Sequence, residues 1–237
     1  MCNLPEPYLI ELDKIIREGV TEFCKENNIS ADITLEYCIY KPLFLGYEIT
    51  YLIPGLKKKY SVLITVRRDE DNIILLKDDI IPLKKKIPAD CKKIAEMKDD
   101  IKNYIKEVLK LLKKILENEP ALNELIENIK KLVKAEGLDC ELFDLPRTAK
   151  VRISLCEDSI AVIISKADVS ISSIAVSFKD KYKSEIMVEL LKNFHHIHEP
   201  MEVDEYRVEI DVKNVSRDRQ LEILSKTIDA LIAFHLI

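Results

Sequence analysis

"ILENEPALNELIENIKKLVKAEG", residues 115–137, decides how the chain is divided. A helical pattern of apolar residues runs through Ile115 and breaks at Asn118-Glu119-Pro120. Proline disfavours helical backbone in the residue before it and suits the first turn of a new helix. A second amphipathic helix starts there and stops at Gly137, a residue suited to the left-handed turn that closes helices. The break predicts one unit at residues 1–118 and another at 119–237. A chain of 237 residues is long enough for two units, each with its own core.

Towards the N-terminus, "DDIKNYIKEVLKLLKKILE" (99–117) lines up Ile101, Tyr104 or Ile105, Val108, Leu112 and Ile115 on one helical face, with lysines opposite. "YLIELDKIIREGVTEFCKENN" (8–28) places Leu9, Leu12, Ile16, Val20 and Phe23 at steps of three and four, another amphipathic helix. Between the two, "ADITLEYCIY" (31–40) alternates as a strand does, and "YSVLITV" (60–66) and "NIILL" (72–76) flank the turn-like "RRDED" as a hairpin. The first unit therefore reads helix, antiparallel strands, long amphipathic helix.

Towards the C-terminus, strands are predicted over "LDCELF" (138–143), "KVRISL" (150–155), "IAVII" (160–164) and "DVSISSIAVSF" (168–178). In the last of these the alternation slips between Ile171 and Ile174, which predicts a bulge or bend at Ser172 and Ser173. A helix over "KSEIMVELLKNF" (183–194), a strand over "EYRVEIDV" (205–212) and a closing helix from Arg217, capped by Ser216, complete the unit. The fold class is α+β, two tandem helix–antiparallel sheet–helix units that suggest a diverged duplication. The tail "ALIAFHLI" is apolar almost all round, so it must be buried in the core or against a partner. A homodimer through Leu231 and Phe234 hides it at a chain terminus.

The run "MVELLKNF", a short loop, "EYRVEIDV" and "VSRDRQLEILSKTIDALIAF" resembles the type III secretion chaperone-like fold, which includes sensory-transduction regulators and uncharacterised archaeal domains. The resemblance covers roughly residues 119–237. It implies an acidic, dimeric, non-enzymatic binding protein, and it carries over no site residue.

Composition excludes several classes. Hydrophobic residues make up 47% and charged residues 33%, which describes a soluble globular chain; no apolar run is long enough to span a membrane and no secretory leader is visible, so a cytoplasmic protein is expected. The net charge is −5, with 21 Lys+Arg against 20 Asp+Glu in residues 1–118 and 16 against 22 in residues 119–237. That balance offers no general attraction to nucleic acid. Six scattered cysteines contain no C-x-x-C pair and read as reduced thiols, mostly in the core. Many lysines, glutamates and isoleucines with a single glutamine, Gln220, follow the composition of proteins from heat-loving organisms. Gly19, Gly46, Gly55 and Gly137 stand alone, so no glycine-rich phosphate loop exists, and neither a G-x-S-x-G elbow nor an H-E-x-x-H pair is present.

Three stretches keep candidate chemistry. In "FHHIHEP" (194–200), His195, His196, His198 and Glu199 offer ligands for a transition metal, set against a plain helix end where imidazolium favours the C-terminal dipole. No other cofactor is expected. Tyr37, Tyr40, Tyr47 and Tyr51 suit a protein-binding sheet surface. With Lys57, Lys58 and Lys59 they also suit single-stranded nucleic acid, the less favoured reading. The lysine-rich run 84–117 reads as a solvated helix face, and His235 as a hydrogen-bonded core histidine. The function expected is a non-enzymatic protein-interaction or chaperone-like module, with a protein partner or a second copy and no membrane.

Overall fold

The computed structural model describes residues 6–40, 43–52, 60–70, 73–78, 84–180, 183–193, 200–204 and 206–236, with backbone alone at some strand positions, Tyr37, Tyr40 and Tyr51 among them. The chain divides into two compact units, Met1–Lys114 and Ile115–Ile237. Each combines helices with an antiparallel sheet, so the protein is α+β.

The first unit runs α1 (Pro7–Asn27), β1 (Ser30–Tyr40), β2 (Leu43–Leu52), β3 (Tyr60–Glu70), β4 (Ile73–Asp78), β5 (Lys84–Pro88), α2 (Cys91–Glu96) and α3 (Lys98–Glu117), the last of which crosses the division. Its strands form a meander in chain order with every pair antiparallel. Period-two alternation makes one face of the sheet apolar: Leu43, Leu45, Tyr47 and Ile49 on β2, Val62, Ile64 and Val66 on β3, Ile74 and Leu76 on β4, and Ile87 on β5 are all buried. The predicted stripes of α1 and α3 are buried as well, from Leu9 to Phe23 and from Ile101 to Leu112.

Lysines on α3 depart from the solvated face read from the sequence. Glu18, Glu22 and Glu26 recur every fourth residue along α1, as Lys98, Lys102 and Lys106 do along α3, so each set forms a row on its helix. The rows interlock. Lys98 lies 2.8 Å and Lys102 2.9 Å from Glu18, Lys102 reaches Glu22 at 2.5 Å, and Lys106 reaches Glu22 at 3.2 Å and Glu26 at 2.7 Å. Contacts that advance together along both helices mean the helices run parallel. Lys102 is only 12% exposed, because its stem lies in the helix seam and its ammonium is held between two carboxylates. The helices come close at Gly19, where a Cβ would stand 3.4 Å from Lys102 Cα and from Ile105 Cβ.

The second unit runs α4 (Glu119–Ala135), β6 (Asp139–Asp144), β7 (Thr148–Leu155), β8 (Asp158–Ser165), β9 (Ser170–Ser177), α5 (Lys183–Asn193), β10 (Pro200–Asp204), β11 (Arg207–Asp211) and α6 (Arg217–Leu236). Its sheet has the order β10-β11-β9-β8-β7-β6, antiparallel throughout. Gly137, at φ +73, closes α4 as the sequence predicts: its N–H donates to Lys134 O and that of Leu138 to Val133 O, the paired bonds of a Schellman motif. Ser216 Oγ accepts from the N–H of Arg219 at the start of α6. Ser172 is the extra residue of the predicted bulge, skipped between the Ser173–Ile163 and Ile171–Ile164 pairs, and its hydroxyl donates to Ile163 O at 3.0 Å.

The core of the second unit joins the inner residues of the sheet to one face each of α4, α5 and α6. Here the expected homodimer contact at Leu231 is corrected. Leu231 is 1% exposed within this core, along with Ile228 and Ala230, and Phe234 packs at its margin with its ring 5.9 Å from Phe178. The sheet of its own unit covers what the apolar pattern alone assigned to a core or a partner. The single glutamine holds the closing helix in place. Gln220, 1% exposed, accepts from the N–H of Ile171 at 2.9 Å and donates to Ile171 O at 3.0 Å and Val212 O at 2.8 Å, binding β9 and the residue after β11 to α6.

Cysteine chemistry differs from the sequence reading as well. Cys38 on β1 is disulfide-bonded, and none of the free cysteines Cys24, Cys91, Cys140 and Cys156 is fully buried. A disulfide needs two cysteines brought close by the fold, which linear spacing does not reveal.

Candidate protein-interaction surface

Of the expected site residues, Tyr47, Leu231 and Phe234 have described side chains. Tyr47 is fully buried on the inner face of β2, so it belongs to the core of the first unit and not to a binding surface. The alternation that makes β2 amphipathic puts it there. Tyr37, Tyr40 and Tyr51 lie on β1 and β2 with their side chains outside the description, and Lys57, Lys58 and Lys59 lie outside the described residues. Leu231 and Phe234 belong to the second unit. His195, His196, His198 and Glu199 also lie outside the described residues; Pro200, which follows them, opens β10. Among the described residues no three His, Cys, Asp or Glu side chains are placed to hold a metal ion.

A surface that the sequence reading did not single out stands at the β6 end of the second sheet. β6 pairs with β7 on one side, and no described strand pairs with it on the other, leaving a row of peptide groups at the edge. Side chains of β6 alternate between faces. Cys140, Leu142 and Asp144 stand opposite the buried Ile153, Val151 and Ala149, which defines the inner face; Asp139, Glu141 and Phe143 stand opposite Ser154, Arg152 and Lys150 on the outer face. Leu142 is nonetheless 43% exposed, Phe143 42% and Leu145 48%. Three large apolar side chains within four residues are thus open to water on both faces of one strand end.

Inward from this edge, the outer face of the sheet has only small or apolar side chains at its centre: Ser159, Ala161 and Ile163 on β8, then Ser173, Ala175 and Ser177 on β9. All three helices contribute to the core on the opposite face. The edge is acidic, with Asp139, Glu141 and Asp144 on the strand itself. Lys166 approaches Asp144 at 2.5 Å, and the Lys150 ammonium lies 5.9 Å from the centre of the Phe143 ring.

A buried polar cluster lies at the start of β8. Asp158, at the start of β8, is 1% exposed, accepts from the N–H of Lys179 at 2.9 Å and from Lys183 Nζ at 3.2 Å, and has His235 Nε2 3.1 Å away without hydrogen-bond alignment. His235 is thus half-buried beside a carboxylate, in place of the hydrogen-bonded core histidine read from the sequence. Lys183 also reaches Asp180 at 2.9 Å and lies over the Phe234 ring, and its pKa is raised first by the Asp180 hydrogen bond. The carboxylate ties β8, the start of α5 and the end of α6 together, which is the work of a structural clamp.

The signals for both features lay in the sequence, although neither is a motif. "DCELFD" follows a helix as the first strand of a meander, a place that leaves one edge open. Asp158 falls between the predicted strands "KVRISL" and "IAVII", in the stretch Glu157-Asp158-Ser159 that joins them, and it opens β8. No protein-family model matches the chain, and no curated protein matches it.

Proposed function

We propose that the chain is a non-enzymatic protein-interaction module that receives a partner at the β6 edge of its second unit. The observation that carries this reading is the exposure of Leu142, Phe143 and Leu145 around an edge strand whose outer side pairs with no described strand. Soluble proteins blunt such edges or use them, since exposed apolar groups beside open peptide groups bind other chains. The order of the second unit, helix, four strands, helix, two strands, helix, supports the chaperone-like character that the resemblance implies. The reading rests on β6 and not on α6, whose Leu231 is packed inside the unit. We place the protein in the cytoplasm; a disulfide at Cys38 is at home there in hyperthermophiles, the source to which the composition points.

Photocrosslinking tests the reading. A benzophenone side chain placed at Phe143 should capture a discrete partner in an extract of the source cells, while the same group at the exposed Lys192 of α5 should not. Equal labelling at both positions, or none at Phe143, would reject β6 as the interaction site.

A further inference from the structure

We infer that the partner adds an extended strand along β6 and that this strand alternates basic with apolar residues. The inference rests on the reading above and supplies the partner's chemistry. Across a β-ladder, residues opposite one another place their side chains on the same face. A strand laid beside β6 therefore meets the carboxylates of Asp139 and Glu141 on the outer face, and Cys140 and Leu142 on the inner face, at alternating positions. Basic side chains suit the first set and apolar side chains the second.

Nearby cations are engaged with groups other than Asp139 and Glu141. Lys166 is held by Asp144, Lys130 of α4 lies 2.7 Å from Glu127, and Lys150 covers the Phe143 ring. Arg152 stands opposite Glu141 one strand further in, on β7, and Glu141 itself is exposed at the edge. A second copy is a poor occupant by the same reasoning. Antiparallel pairing of β6 with itself centred on Glu141 would set that carboxylate against its own copy on the outer face, and like charges facing across a ladder are destabilising. The acidic edge thus opposes self-association while it favours a cationic strand.

The test uses the full chain and three end-blocked decapeptides: alternating lysine and valine, alternating glutamate and valine, and the lysine–valine peptide N-methylated at every second residue. Binding is read by fluorescence anisotropy. The lysine–valine peptide should bind about tenfold or more tightly than the glutamate–valine peptide, and both the N-methylation and the double variant D139K/E141K should weaken it by about tenfold. Equal binding of the lysine and glutamate peptides would overturn the basic partner. Undiminished binding of the N-methylated peptide would overturn strand addition in favour of adsorption to an acidic surface. Should no peptide bind while crosslinking at Phe143 still captures a partner, the partner's chemistry as inferred here is wrong and the β6 reading stands; silence in both experiments rejects both. A dimer in sedimentation that Phe143→Lys dissociates would identify the occupant as a second copy and overturn the inference.

Discussion

Gly19 sets a helix-propensity gain against a packing cost, and distances decide the sign. Alanine is favoured over glycine within a helix by about 1 kcal/mol. The added Cβ would meet Ile105 Cβ and Lys102 Cα at 3.4 Å, the near limit of ordinary contact. Gly19→Ala should therefore raise the urea midpoint, whereas Gly19→Leu, whose side chain has no room in the α1–α3 seam, should lower it. Gly137 gives the opposite result. Nothing lies within 4 Å of its missing Cβ, yet its φ of +73 is one that L side chains rarely adopt, so Gly137→Ala should cost about 1 kcal/mol through backbone strain alone. Asp158 provides a third measurement at this scale. Asp158→Ala removes the acceptor of the Lys179 N–H and a partner of both Lys183 and His235, and should destabilise by about 2 kcal/mol in chemical denaturation. A change below about 0.5 kcal/mol would mean that the cluster is no clamp.

At the scale of elements, the α1–α3 ladder makes a pH-dependent prediction. Hydrogen bonds from Lys98 and then Lys102 bring the Glu18 pKa down from 4.5 to about 2, and those from Lys102 and then Lys106 lower that of Glu22. A carboxylate whose folded pKa is depressed contributes stability that is present above its unfolded pKa and lost as pH falls through the folded one. Wild type should thus lose more stability than E18Q/E22Q between about pH 4.5 and about pH 2, measured as urea midpoints across that range. Parallel slopes would show the ladder to be energetically silent. Gln220 bridges elements in another way: Gln220→Met leaves the N–H and C=O of Ile171 and the C=O of Val212 without their side-chain partner, at a cost on the order of 3 kcal/mol. What was legible in the sequence divides along the same lines. α1, α3, α4, α5 and α6 and the strands β1, β3, β4, β6, β7, β8, β9 and β11 were readable because most of them bury a face, and burial imposes a period of 3.6 or 2. β2, β5 and β10 were not read as strands; β2 buries Leu43, Leu45, Tyr47 and Ile49, but Phe44 and the Tyr51-Leu52 pair blur its alternation in the sequence. β10 is only five residues long, and β5 is "KKKIP", with only Ile87 buried, so nothing forces it to alternate. α2 is six residues long, too short to show a period. The exposure of Leu142 and Phe143 was hidden for a related reason: at an edge an apolar residue meets the same chemistry as in the interior, and only the absence of a neighbour leaves it open to water.

For the molecule as a whole, two boundaries compete. Pro120 breaks the helical pattern, which places the division after Asn118, whereas packing assigns Ile115 onward to the second unit, with Ile115 at 7% and Leu116 at 3% exposure. The core of that unit lies entirely within Leu122 to Leu231, so a fragment of residues 118–237 contains all of it and should unfold cooperatively on its own. A stability on the order of 5 kcal/mol is expected for a domain of this size. If the last turn of α3 packs as part of the second unit, a fragment of residues 115–237 should be more stable than the shorter one by about 2 kcal/mol, the contribution of a well-buried aliphatic side chain. Equal urea midpoints would instead place the physical boundary at the proline. Failure of both fragments to unfold cooperatively would show that a complete core is not sufficient, and that the second unit depends on the first for its stability.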